Sequence, residues 1–170
     1  MNNKYFYHLD LPRLDNFFIQ EAFNAEYTLV TAPSSLIRSH SSFMVNSFSK
    51  MIASSLGEVG TSYHKQTSHS LYDWHKDNNR DCAILWVIQT NNQAKTFYRE
   101  SVPDTKLMYN IKEVDYTLCK PTLLNTKYEH CVINNGNEDR ITLNMSIFNT
   151  PYKKALEFFQ NLKINSYSNL

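Results

Sequence analysis

Three residues of this chain could hold a metal ion between them. His75 and Asp77 sit two apart in "LYDWHKDNNRDC", where an apolar pattern gives way to a polar turn. His130 opens the stretch "HCVIN", 53 residues beyond Asp77. Taken singly, each has a bland reading. A strand-end histidine is commonly a surface group, and an aspartate in "HKDNN" can bond its own backbone in a turn. Brought together, two imidazoles and a carboxylate fill one face of a divalent ion and leave its other positions open, which suits non-haem Fe(II). Neutral imidazoles with one carboxylate also leave the ion a residual positive charge that favours an anionic co-substrate.

A fourth residue strengthens that reading. Arg140 follows His130 by ten residues and opens "RITLNMSIF". Strand alternation places Arg140, Thr142 and Asn144 on one face and Ile141, Leu143, Met145 and Ile147 on the other. An arginine inside a plain sandwich would be costly, whereas in a pocket its fork binds a carboxylate and Thr142 adds a hydroxyl.

The elements that must position these groups are short. From about residue 62, strand-like pieces rich in Val, Ile, Thr, Tyr and Phe follow one another: "SYHKQTSHSLYDW", "CAILWVIQT", "AKTFYRE", "KLMYNIK", "VDYTLCK", "PTLLNT", "HCVIN" and "RITLNMSIF". Asn, Asp, Pro and Gly punctuate the gaps. Eight such strands with no helix between them predict two antiparallel sheets, closed or sandwiched, over residues 62–148. In such a barrel the end of the first strand and the start of the seventh can meet, bringing His75, Asp77 and His130 together. Helical spacing predicts helices at 43–56, ended by Gly57, and at 152–162. "KYFYHLDL" and "EYTLVTA" read as additional strands. The first 60 residues carry no motif and are expected to shape the entrance to the site.

Composition sets the outer limits. The chain has 170 residues, 42% of them hydrophobic and 14% aromatic, with a net charge of +1. One packed domain is expected, and the near-neutral balance argues against a nucleic-acid partner. No apolar run approaches the ~18 residues of a membrane span, and the N-terminus lacks a secretory pattern. Three cysteines, Cys82, Cys119 and Cys131, show no paired spacing, so a reducing cytoplasmic setting is expected. Oligomeric state is not legible. Cys131 is expected to be a buried hydrophobe turned away from the metal, Arg80 a solvated turn charge, and His69 a structural histidine.

The pattern of HxD, a distal His, an Arg ten residues on and eight strands resembles the Fe(II)/2-oxoglutarate-dependent oxygenases over about residues 62–148. That resemblance implies a mainly β fold with flanking helices, the double-stranded β-helix or jelly roll. His75, Asp77 and His130 match the family's catalytic metal triad, Arg140 its 2-oxoglutarate anchor and Thr142 the hydroxyl beside it. Tyr109 and Asn125, on the fourth and sixth strands by this count, are candidate donors to the same co-substrate. The implied cofactors are Fe(II), 2-oxoglutarate and O2, and the implied reaction is hydroxylation of a small molecule or a protein side chain, releasing succinate and CO2. The chain departs from prolyl-hydroxylase-like members, having Thr96 and Phe97 without the glycine pair before them. It also lacks the second arginine of the nucleic-acid-demethylating branch. The competing reading is a cupin-like metal-binding protein, a sensor or an isomerase, that does not use 2-oxoglutarate.

Overall fold

The computed structural model describes residues 3–29, 36–102, 105 and 107–162. Its framework is eight strands: β4 (Val59–Gln66), β5 (Ser70–His75), β6 (Cys82–Gln89), β7 (Ala94–Ser101), β8 (Met108–Glu113), β9 (Pro121–Asn125), β10 (Glu129–Asn134) and β11 (Arg140–Ile147). Short strands β1 (Phe6–His8), β2 (Thr28–Leu29) and β3 (Leu36–His40) precede them. The strands form two sheets, one ordered β1-β9-β6-β11-β4-β3-β2 and the other β5-β10-β7-β8. All pairings are antiparallel. Along the chain β4, β6, β9 and β11 enter the large sheet, and β5, β7, β8 and β10 the small one. This is the double-stranded β-helix, in agreement with the sequence.

The count of eight strands is right, but two of its members differ. "SYHKQTSHSLYDW" is two strands, broken by a turn in which His69 has φ +50° and Ser70 Oγ donates to the Thr67 carbonyl. The turn has neither Gly nor Pro, the usual signals. His75 therefore closes the second barrel strand, not the first. "VDYTLCK" is not a strand. It bends across the barrel end, with Cys119 at φ +59° and its N–H donated to the Val87 carbonyl.

The outer face of the large sheet carries the main core. Ile141, Leu143, Met145 and Ile147 of β11 pack there with Ile84 and Trp86 of β6 and with three helices. These are α1 (Asn16–Asn24), α2 (Ser47–Leu56) and α3 (Tyr152–Asn161), which contribute Phe18 and Ala22, Phe48 and Ile52, and Ala155 and Phe159 respectively. The expected helix at 43–56 is divided. Residues Ser42–Val45 form a tight turn, and Asn46 then caps α2 by accepting from the Phe48 N–H. Gly57 ends α2 at φ +99°, as expected. α1 was not anticipated, although Asp15 is a legible N-cap that accepts from the Phe17 N–H. Residues 30–32 of the expected strand "EYTLVTA" lie outside the described residues.

The inner face is mixed. Leu85, Val87, Tyr98 and Leu124 fill part of the barrel, joined by Tyr5 and Phe6 from the N-terminal segment. The remainder is a polar cavity. Among the described residues no helix is long and apolar enough to cross a membrane.

Candidate metal centre

His75 ends β5 and His130 lies near the start of β10, and the two residues are paired across the small sheet. Their rings lie 4.3 Å apart between centroids. Strict alternation would not put His75 beside Tyr72 on the inner face. The register slips between these strands: His130 faces His75, but Val132, two residues on, faces Tyr72, three residues back. The extra residue on β5 reverses the alternation, so Tyr72 and His75 both line the cavity. Trp74 does not line the cavity; it is stacked by Arg99 at 4.1 Å, and Arg99 is held in turn by Glu129.

Both histidines are oriented the same way. His75 Nδ1 donates to the Asp73 carbonyl at 2.6 Å, and His130 Nδ1 donates to the Tyr128 carbonyl at 2.9 Å. A carbonyl only accepts, so each Nδ1 carries the proton and each Nε2 keeps its lone pair. Asp77 brings a carboxylate oxygen to the same point, with Oδ1 3.7 Å from His75 Nε2. The three ligand atoms all lie within 4.8 Å of one another. Burial and the neighbouring His75 push the His130 imidazole down to about 4, so it is neutral and free to ligate at neutral pH. Burial works to raise the Asp77 carboxyl, but the charge and hydrogen bond of Arg80, aided by His130 and His75, outweigh it and hold it below its ordinary value.

Asp77 is fixed from both sides. Its N–H donates to the Thr126 carbonyl, and Thr126 in turn bonds the backbone at Arg80 and Asp81, tying the 77–81 turn to the end of β9. Arg80 Nε donates to Asp77 Oδ2, while Arg80 Nη1 reaches Asn144 Oδ1 at 2.9 Å and Ser146 Oγ at 2.6 Å. Arg80 is thus a part of the site and not a solvated turn charge: its side chain is 14% exposed. Its signal in the sequence was its place three residues after Asp77 in a turn.

Arg140, Thr142 and Asn144 all point inward from β11 and line the cavity, as alternation required. Arg140 is 6% exposed. Its Nη2 donates to Thr96 Oγ1 at 3.2 Å, and its guanidinium lies 5.3 Å from the Tyr116 ring centroid. No carboxylate pairs with it among the described residues. Burial lowers its pKa, and the nearby Tyr116 works the other way. A buried cation without an acid is expensive unless water or an anion receives it. The cavity holds about 70 Å³ and is lined by His64, Gln66, Thr96 and Tyr116 besides the residues already named. By ~10–15 Å³ per water it has room for several.

Two expected donors are elsewhere. Tyr109 lies on β8, the fifth barrel strand, 44% exposed, and reaches Glu100. Asn125 ends β9 and donates to the Lys4 carbonyl. Neither lines the cavity. His69 also lies outside it, on the exposed turn, and Cys131 is buried on the face away from it. Among the described residues, none before Gly60 lines this cavity or the one beside it; the N-terminal segment instead covers the large sheet and plugs the barrel.

No protein-family model and no curated protein matches this chain. Among solved structures it is similar to an oxalate decarboxylase, at 10% identity over 75% of this chain and 29% of that one, with a TM-score of 0.46. It is also similar to an oxidoreductase of the 2OG-Fe(II) oxygenase family from Burkholderia pseudomallei, at 10% identity over 66% of this chain and 58% of that one, TM-score 0.45. A cupin domain from Bordetella pertussis is 13% identical over 52% of this chain and 80% of that one, TM-score 0.38. The chain thus spans less than a third of the oxalate decarboxylase. Likeness at this level carries no argument about chemistry, which rests on the side chains themselves.

Proposed function

We propose that this chain is an Fe(II)- and 2-oxoglutarate-dependent oxygenase that hydroxylates a small molecule or a protein side chain, with release of succinate and CO2. One observation carries the reading. Arg140 is a buried cation without an acidic partner among the described residues, in the same cavity as a His/Asp/His cluster. The cluster fits a divalent ion, because both imidazoles offer Nε2 and Asp77 offers Oδ1. When bound, the iron supplies the coupling of O2 reduction to oxidative decarboxylation, which no side chain here can perform.

The chain's own groups do the rest. His75, Asp77 and His130 hold one face of the ion, and Arg80 keeps the Asp77 carboxylate from turning away. Arg140 receives the distal carboxylate of the co-substrate, with Thr142 beside it. Thr96, which meets Arg140, lies two residues along β7 from Tyr98, the partner of His130. That is about 7 Å of strand, comparable with the reach of a C5 dicarboxylate. Leu85, Leu124 and Val132 line the same cavity and limit water around the reacting atoms.

The test is Fe(II)-dependent conversion of 2-oxoglutarate to succinate by the purified chain, with His130→Ala as the inactive control. Metal binding without any binding or turnover of 2-oxoglutarate would remove this reading and leave the metal-only cupin alternative.

A further inference from the structure

A second cavity opens beside the metal centre. It holds about 210 Å³ and is lined by Gly60, Thr61, Ser62, His64, Asp77, Asn79, Arg80, Ser146 and Phe148. It shares Asp77, Arg80 and His64 with the first cavity, so a molecule in it would lie beside the carboxylate of the metal-binding cluster. Its wall is mostly hydroxyl, amide and guanidinium groups, with Phe148 at one side. The buried Thr61 hydroxyl has no hydrogen-bond partner among the described residues. Of the guanidinium nitrogens of Arg80, Nε is taken by Asp77 and Nη1 by Asn144 and Ser146. Nη2 makes no hydrogen bond among the described residues.

The charges of the two cavities do not cancel. Arg80 and Arg140 bring two positive charges and Asp77 one negative, and the lining has no other acid or base besides histidine. Asp81, the nearest acid along the chain, already pairs with Lys127 at 3.1 Å. A divalent ion adds two positive charges, and a dicarboxylate on Arg140 removes two. One positive charge is left, and Arg80 is the cation that borders the second cavity. We infer that the second cavity binds the primary substrate, and that this substrate is a small carboxylic acid held by Arg80 Nη2 and the hydroxyls of Thr61, Ser62 and Ser146. The inference rests on the oxygenase reading for the charge of the loaded centre. It narrows that reading to a small anion and away from an apolar substrate.

The experiment is calorimetric titration of Mn(II)-loaded protein, saturated with 2-oxoglutarate under argon. The probes are L-amino acids and α-hydroxy acids, each beside its own primary amide. Acids should bind about tenfold or more tighter than their amides, the worth of one charge-assisted hydrogen bond. Ser146→Asp places a carboxylate against Arg80 and should abolish that preference, while 2-oxoglutarate, received by Arg140 in the other cavity, still binds the metal-loaded variant. Ser146→Ala should keep the preference. If amides bind as well as acids, if no acid binds, or if Ser146→Asp leaves the preference intact, the inference is wrong. If 2-oxoglutarate itself fails to bind, the oxygenase reading falls separately. The acid–amide comparison on protein carrying Mn(II) alone then still decides whether Arg80 selects an anion.

Discussion

Replacing Arg140 by Met separates an arginine kept for a ligand from one kept for the fold. The substitution preserves most of the side-chain volume and removes the charge. In the free protein Arg140 donates to Thr96 Oγ1 at 3.2 Å and lies over Tyr116 at 5.3 Å, with no acidic partner among the described residues. Those contacts are worth about 1–3 kcal/mol together. Against them stands the cost of holding a guanidinium that is 6% exposed, several kcal/mol for an unpaired buried ion. The free protein should therefore be no less stable as Arg140→Met, with an unchanged or raised melting temperature. Ligand binding should respond in the opposite sense. Removing one member of a buried, hydrogen-bonded charge pair costs about 2–5 kcal/mol, so 2-oxoglutarate should bind some thirtyfold to several thousandfold more weakly. Arg140→Lys should recover part of this, because it keeps the charge and loses the fork. Calorimetry on Mn(II)-loaded protein under argon gives the affinity, and thermal unfolding of the metal-free protein gives the stability. A variant that unfolds several degrees lower and binds 2-oxoglutarate like wild type would refute the reasoning, because Arg140 would then be structural.

Arg80→Met should weaken metal binding by about ten- to a hundredfold, because Asp77 Oδ2 loses the group that orients it; competition with a chelator measures this, and an unchanged affinity would count against Arg80 as a positioning residue. Stability of the metal-free protein should fall as the pH drops from 6.5 to about 4: His130 is held at about 4 when folded, so over this window the unfolded chain takes up a proton that the folded chain refuses. The full effect is roughly 3 kcal/mol, and His130→Asn should flatten that part of a denaturation-versus-pH curve. Trp86→Ala should cost about 3–5 kcal/mol in urea unfolding, since Trp86 is fully buried between Phe43 and Phe48 beneath the helices.

Much of the site was written locally. Arg140, Thr142 and Asn144 share a face because side chains alternate along a strand, and nothing in β11 interrupts the pattern. The triad was legible because a metal needs particular donors, and His75, Asp77 and His130 are those donors at strand ends. The count of eight strands followed from composition, the C-terminal end of α2 from Gly57 and the span of α3 from helical spacing. Other features depended on pairing between distant segments. Alternation alone could not place Trp74 outward, because one extra residue on β5 against β10 reversed the faces. The role of Arg80 could not be read, because Asn144 and Ser146, which hold its far end, lie more than sixty residues away. Tyr109 and Asn125 were misplaced for a related reason: a strand assignment gives a face and not a depth, and depth is set by where the two sheets converge. The sequence by itself supplied the donor types, two imidazoles, a carboxylate and a guanidinium, and the face that Arg140 shares with Thr142 and Asn144, because those follow from residue identity and short spacings. Only the tertiary structure decided which of these side chains share a cavity and that Arg80 joins them, because bulges and turns set strand register, and register decides which side chains face one another.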